Sequence, residues 1–220
     1  MPNAVENSKS QSGPQALWIV GVPLLLAVVE IFHPHPHNLL ELDVDTWLTV
    51  HYLQLPLFAL AAMAVAALVR GRADIGAQVC RGAMFVFGVS FIAFDTAAGI
   101  VTGILVNAAH RSQVPALYRV PIDVVWKHPI VGGSSGAPSL LAVLGSIALS
   151  VGCVAGAFSL KRAGHTWPPA ALLALSSFGI SVFRTHAWPG GPLTFGGIAI
   201  AAAWLLWERR RASVLIHRSV

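Results

Sequence analysis

The sequence predicts an all-α integral membrane protein, a bundle of six transmembrane helices, and three observations lead there. Of the 220 residues, 55% are hydrophobic and only 10% charged, whereas a soluble domain has about 25% charged residues covering its surface. The apolar residues are gathered into runs close to the ~20 residues that carry a helix across a bilayer. The basic residues fall between those runs, so the net charge of +5 speaks of membrane topology and not of a nucleic-acid partner. With only two cysteines, Cys80 and Cys153, a disulfide framework and a Cys-rich metal site are both excluded.

Residues 1–15, rich in Asn, Ser, Gln and Pro, read as a mobile cytoplasmic tail. The first run, 16–33, has only Lys9 as a basic residue ahead of it. It is followed by His33-Pro-His-Pro-His37 instead of a small-x-small cleavage site, so it is expected to remain as a span. Further spans are expected at 46–69, 82–106, 139–160, 168–186 and 192–207. Residues 16–208 then form one transmembrane domain and 209–220 a basic cytoplasmic tail. Pro23 and Pro56 lie inside the first two spans, where neighbouring helices tolerate kinks. The fifth span is the weakest, being short and containing Arg184 near its end.

Loop charge sets the orientation. With both termini in the cytoplasm, ten Lys and Arg fall inside, among them Arg70, Arg72, Arg81 and Arg209–Arg211. Four fall outside: Arg111, Arg119, Lys127 and Arg184. Trp18, Trp167, Trp204 and Trp207 are then expected at the inner interface, Trp47 and Trp188 at the outer one, and Cys80 in an inner loop beside Arg81. The expected location is the cytoplasmic, inner or plasma, membrane. The outer stretch 107–138 is too long for a plain connector and is expected to lie on the membrane as a lid.

Seven of the nine histidines fall at the outer side, which directs attention there. On a helical rise of ~1.5 Å per residue, Glu30, His33, His51 and His186 come to one level, and these four are the expected metal ligands. Glu30-x-x-His33 places a carboxylate and an imidazole on one helix face, as in di-iron carboxylate bundles, although those use two such pairs. Pro34 and Pro36 keep the histidines that follow in an extended arm. Asp95 is the deepest charge. It lies eleven residues in from Val106, roughly 16 Å into a ~30 Å hydrocarbon core, where a carboxylate costs about 2.5–3.5 kcal/mol and must pair or stay protonated. Asp95 and His51 are the expected catalytic pair. Gln54, a turn below His51, and Thr102, near its level, complete a polar column expected to bind a cofactor. Gly99-x-x-x-Gly103 is expected to pack helices closely, within one chain or between copies in a homo-oligomer.

Mixed imidazole and carboxylate donors suit Zn, Fe, Mn or Cu. The leading expectation is a metal-dependent membrane enzyme working on a lipid-like or small apolar molecule that arrives from the bilayer lipids. The alternatives are a redox subunit in which His51 pairs with His110 or His186 on a haem, or lines a quinone pocket, a transporter with Asp95 as proton carrier, and a non-catalytic assembly protein. No Lys lies within a span, which excludes a retinal Schiff base, and there is no C-x-x-C for thiol redox work.

Overall fold

The computed structural model describes residues 12–134, 136 and 139–218, with side chains over 13–211 of that range. Those residues are helical throughout their regular structure. The helices are α1 (Ser12–Ile31), α2 (Val44–Leu68), α3 (Ile75–Phe94), α4 (Thr102–Arg111), α5 (Arg119–Trp126), α6 (Leu140–Arg162), α7 (Trp167–Ser176), α8 (Gly179–Phe183) and α9 (Gly190–Arg218). A π-helical stretch, Asp95–Val101, joins α3 to α4 without a break. Of the expected tail 1–15, residues 1–11 lie outside the described residues and 12–15 already belong to α1. At the other end α9 runs on through the expected basic tail to Arg218, and residues 219–220 lie outside the described range.

The helix starts follow local sequence. The carboxylates of Asp43 and Asp74 accept from the backbone N–H of Thr46 and Ala77, and the Ser139 hydroxyl accepts from that of Ala142. Each satisfies an N–H that the first turn leaves without a partner. For exposed Asp43, the Thr46 hydroxyl and N–H hold its carboxyl below the usual range. After α2 and α6 the chain turns through Gly71 and Gly164, both at positive φ, where a side chain would be strained.

Among the described residues, five helical stretches are long and apolar enough to cross a membrane: Gly13–Ile31, Val44–Leu68, Ile75–Arg111, Leu140–Arg162 and Gly190–Arg211. The expected fifth span is instead α7 and α8, an interrupted pair. The break is stabilised by its neighbours. Ser150 on α6 donates to the Ser177 carbonyl, and the Ile180 N–H donates to the Thr194 hydroxyl on α9.

Packing partners run in chain order around a closed ring, α1 to α2, α2 to α3, α3 to α6, α6 to α7, α7 to α9, and α9 back to α1. The core includes Phe58, Phe87, Phe91 and Phe195, with Phe58 and Phe87 each 4.9 Å from Phe91 between ring centroids. Polar pins mark one end of the bundle: Asp74 with Arg72 and Ser159, and Glu208 with His165 and Thr166. His33, His51 and His186 gather at the other end. The α7–α8 segment therefore leads from His165 at one end to His186 at the other, and α1 begins at the same end where α9 finishes.

Two expectations are corrected here. Cys80 is not in a loop but inside α3, fully buried against Gly156 of α6. Trp47 does not sit in an interfacial belt; it is 2% exposed and lies inside the histidine end of the bundle.

Candidate metal centre

One ring nitrogen from each of His33, His51 and His186 lies within 4.8 Å of the other two. His33 comes from the turn that ends α1, His51 from the second turn of α2, and His186 from the loop between α8 and α9. The rings meet edge to face, His33 to His51 at 4.9 Å and His33 to His186 at 4.8 Å between centroids. Donors on one tetrahedral ion with bonds of roughly 2.0–2.1 Å stand about 3.3 Å apart, so ring movements of about 1 Å close this group onto an ion.

Backbone carbonyls set the tautomers. A carbonyl only accepts, so the Nδ1–H of His51 donates to Trp47 O at 2.7 Å and that of His33 to Pro34 O at 2.9 Å. Both rings are left with the Nε2 lone pair free, which is the outer hydrogen bonding that metal-binding imidazoles use. His33 Nε2 and His186 Nε2 are buried with no hydrogen-bond partner among the described residues. Burial, and then His186 and His51 alongside, hold the His33 imidazole well below its ordinary range. His186 is lowered too, by burial first and then by His51 and His35. Both rings are therefore neutral, the form that binds metal.

Carboxylates stand beside the imidazoles. Asp95, 1% exposed, opens the π-helical stretch, and its Oδ1 is 3.7 Å from His51 Nε2. It approaches the lone-pair side of that ring. Glu30 is fully buried, with Asp95 and Gln54 as its polar neighbours. Among the described residues Glu30 and Gln54 have one another as polar partners, and both Asp95 oxygens are without a hydrogen bond. Buried polar atoms are nearly always satisfied, and a group of them left open together points to a ligand between them.

Of the residues expected at this site, His33, His51 and His186 come together and Asp95 joins them at His51. Glu30 shares their level but stands outside the group of three, next to Gln54 and Asp95. Thr102 is buried but turns its hydroxyl back to Ala97 O at 3.4 Å. His110 is tied to Leu40 O at 2.7 Å and is exposed, which takes it out of the cluster. His35 stays near His33, at 6.0 Å between centroids, and His37 is exposed without joining the site.

Sequence reasoning missed the residues that shape the site. Trp47 stacks 4.3 Å from His51 and 5.2 Å from His33, and its indole N–H donates to Gly99 O at 2.7 Å. Trp126, from the segment expected as a lid, meets Trp47 at 6.1 Å, and Ile122 joins Leu42, Val44, Trp47 and Val106 in a small second core at the histidine end. Below, Phe94 lies 5.6 Å and Phe58 6.1 Å from His186. A Cβ on Gly99 would strike the His51 ring, and one on Gly191 would strike His186 O and come 2.9 Å from Glu30 Cγ. The one available signal was Trp47 itself, placed four residues before His51 and so on the same helix face.

No family of known proteins, no curated protein and no solved structure matches this chain. Its function is therefore read from the site.

Proposed function

We propose that the protein is a metal-dependent membrane enzyme whose site, at the extracytoplasmic end of the bundle, acts on a lipid-like or small apolar molecule. The observation that carries this is the convergence of three imidazoles, those of His33 and His51 buried and that of His186 half-buried, two with backbone-fixed tautomers, with the buried carboxylate of Asp95 beside them. His33, His51 and His186 would hold the ion, and donors of this kind suit Zn, Fe, Mn or Cu. Such an ion would supply Lewis acidity. Asp95, 3.7 Å from His51, would be the carboxylate placed to take up a proton there, and Glu30 with Gln54 forms the polar wall beyond it.

The surroundings favour an apolar substrate. A cleft of about 400 Å³ lies over the seam between α1 and α2, lined by Val29, Phe32, Thr49, Val50 and Leu53, with Asp45 and Thr46 at its rim. These residues flank Glu30, His33, His51 and Gln54 in the chain, so the cleft lies at the same level of the bundle as the site. Trp47 and Trp126 on one side and the phenylalanines beside His186 on the other give the cluster aromatic walls. That phenylalanine layer also speaks against a through-going path for a transported ion. A haem is disfavoured because the imidazoles touch one another and leave no space for a macrocycle between them.

The test is elemental analysis of gently purified protein beside His51→Ala and His186→Ala. Stoichiometric metal in the wild type and its loss in both variants is the expected result. Equal metal content in all three, or none in any, removes the reading.

A further inference from the structure

At the end of the bundle away from the histidines, a second cleft of about 480 Å³ opens between α1, the end of α2 and the start of α3. Its floor is apolar, made by Trp18, Met63, Ala66 and Ala67, and Met63 is 58% exposed to the surroundings of the bundle. Its rim carries Arg70, Arg72 and Arg81.

The three guanidinium groups are not equivalent. Arg72 is neutralised by Asp74 at 2.9 Å and also donates to Ser159. Arg81 is anchored by one N–H to the Arg72 carbonyl at 3.1 Å, which leaves the rest of its fork open. Arg70 is exposed at the same rim. Two positive charges therefore face a cleft with an apolar floor that is open on its bilayer side. A free anion would use the rim and gain nothing from the floor; a neutral or zwitterionic lipid would bring no net charge to the rim. Both halves are used by an amphiphile with an anionic phosphate head.

We propose that this cleft binds one anionic glycerophospholipid, its phosphate between Arg70 and Arg81 and an acyl chain along Met63, Ala66, Ala67 and Trp18. The site is separate from the histidine cluster and does not depend on what that cluster does.

The experiment is native mass spectrometry of the full chain in neutral detergent, titrated with phosphatidylglycerol, phosphatidylcholine or glycerol phosphate. Phosphatidylglycerol is expected to bind at one site more tightly than phosphatidylcholine. Arg70→Gln should weaken it about 5-fold and Arg70→Gln with Arg81→Gln roughly 25- to 30-fold, at about one Arg contribution each. Met63→Trp, which fills the floor and leaves the charges, should also weaken it. Unchanged circular dichroism and thermal melting of these variants verify that they are folded. Equal binding of the two lipids, or wild-type binding by the double variant, overturns the proposal. Full competition by glycerol phosphate overturns it as well, because the apolar floor would then contribute nothing.

Discussion

Asp95 separates a residue kept for packing from one kept for chemistry. Its carboxylate is buried, has no hydrogen-bond partner and stands 3.7 Å from an imidazole nitrogen whose lone pair is free. An ionised carboxylate in such a place costs a few kcal/mol, and Asn fills the same volume without that cost. Without metal, Asp95→Asn is therefore expected to be as stable as wild type or more stable by about 1–3 kcal/mol. With metal, losing the negative charge beside the site should lower affinity about 10- to 100-fold. Thermal melting of the stripped protein and chelator competition measure the two effects. Unchanged affinity in Asp95→Asn would make it a packing residue. Gly99 makes the complementary case from backbone. Its α carbon faces the His51 ring so closely that a methyl group has no room, and Gly99→Ala should destabilise by about 1–3 kcal/mol and displace the ring. Gly88 lies on the same long stretch, and a Cβ there would meet Ala62 at 3.5 Å and Ala59 at 3.9 Å, both ordinary contacts. Gly88→Ala is thus expected to keep stability and metal content, and equal metal in both variants would refute the fit described for Gly99.

At the scale of elements, the π-helical stretch positions this contact. Seven residues, Asp95–Val101, are wound wider than an α-helix, which turns Asp95 inward and brings Gly99 against α2, where Trp47 donates to its carbonyl. Such stretches are frequent at functional sites because they re-aim side chains without ending the helix. Deleting Ala97 should let the segment relax to α-helix and rotate Asp95 relative to α4. Circular dichroism would then keep its helical signal while bound metal is lost; retained metal would show that the wide turn is dispensable. This element was not legible in the sequence, which showed only an apolar run with a deep carboxylate. The apolar runs themselves were legible, since burial in lipid demands length and composition that leave a plain trace. So were the histidines, because imidazoles near the end of a span are rare enough to stand out. Trp47 was misjudged, because a tryptophan near the end of a span has the same composition signal whether it faces lipid or roofs a site. Cys80 was misjudged for a related reason: Arg81 suggested a loop, but α3 starts at Ile75, a turn and a half earlier, and puts the thiol on its inward face.

The whole molecule is a ring of helices in chain order, and its weak point is also its most informative one. The α7–α8 segment, Trp167–Phe183, is shorter than the other five stretches, about 25 Å of helix against a ~30 Å core. Yet it leads from His165, bonded to Glu208, to His186 in the histidine cluster. If it crosses the bilayer, there are six passages and both ends of the chain lie on one side, the cytoplasmic side by the distribution of Lys and Arg. Because Cys80 and Cys153 are both fully buried, single cysteines can be introduced into the native chain with little background from its own thiols. Ala163 and Arg211 are exposed at the end with the polar pins, and Gln113 and Arg184 at the histidine end. A membrane-impermeant thiol reagent should label Gln113→Cys and Arg184→Cys in intact cells, and Ala163→Cys and Arg211→Cys only after the cells are opened. The reverse pattern would invert the orientation and place the histidines on the cytoplasmic side. Labelling of Ala163→Cys and Arg184→Cys from the same side would mean that α7–α8 re-enters without crossing, and His186 could then reach His33 and His51 only in a bundle arranged differently from this one.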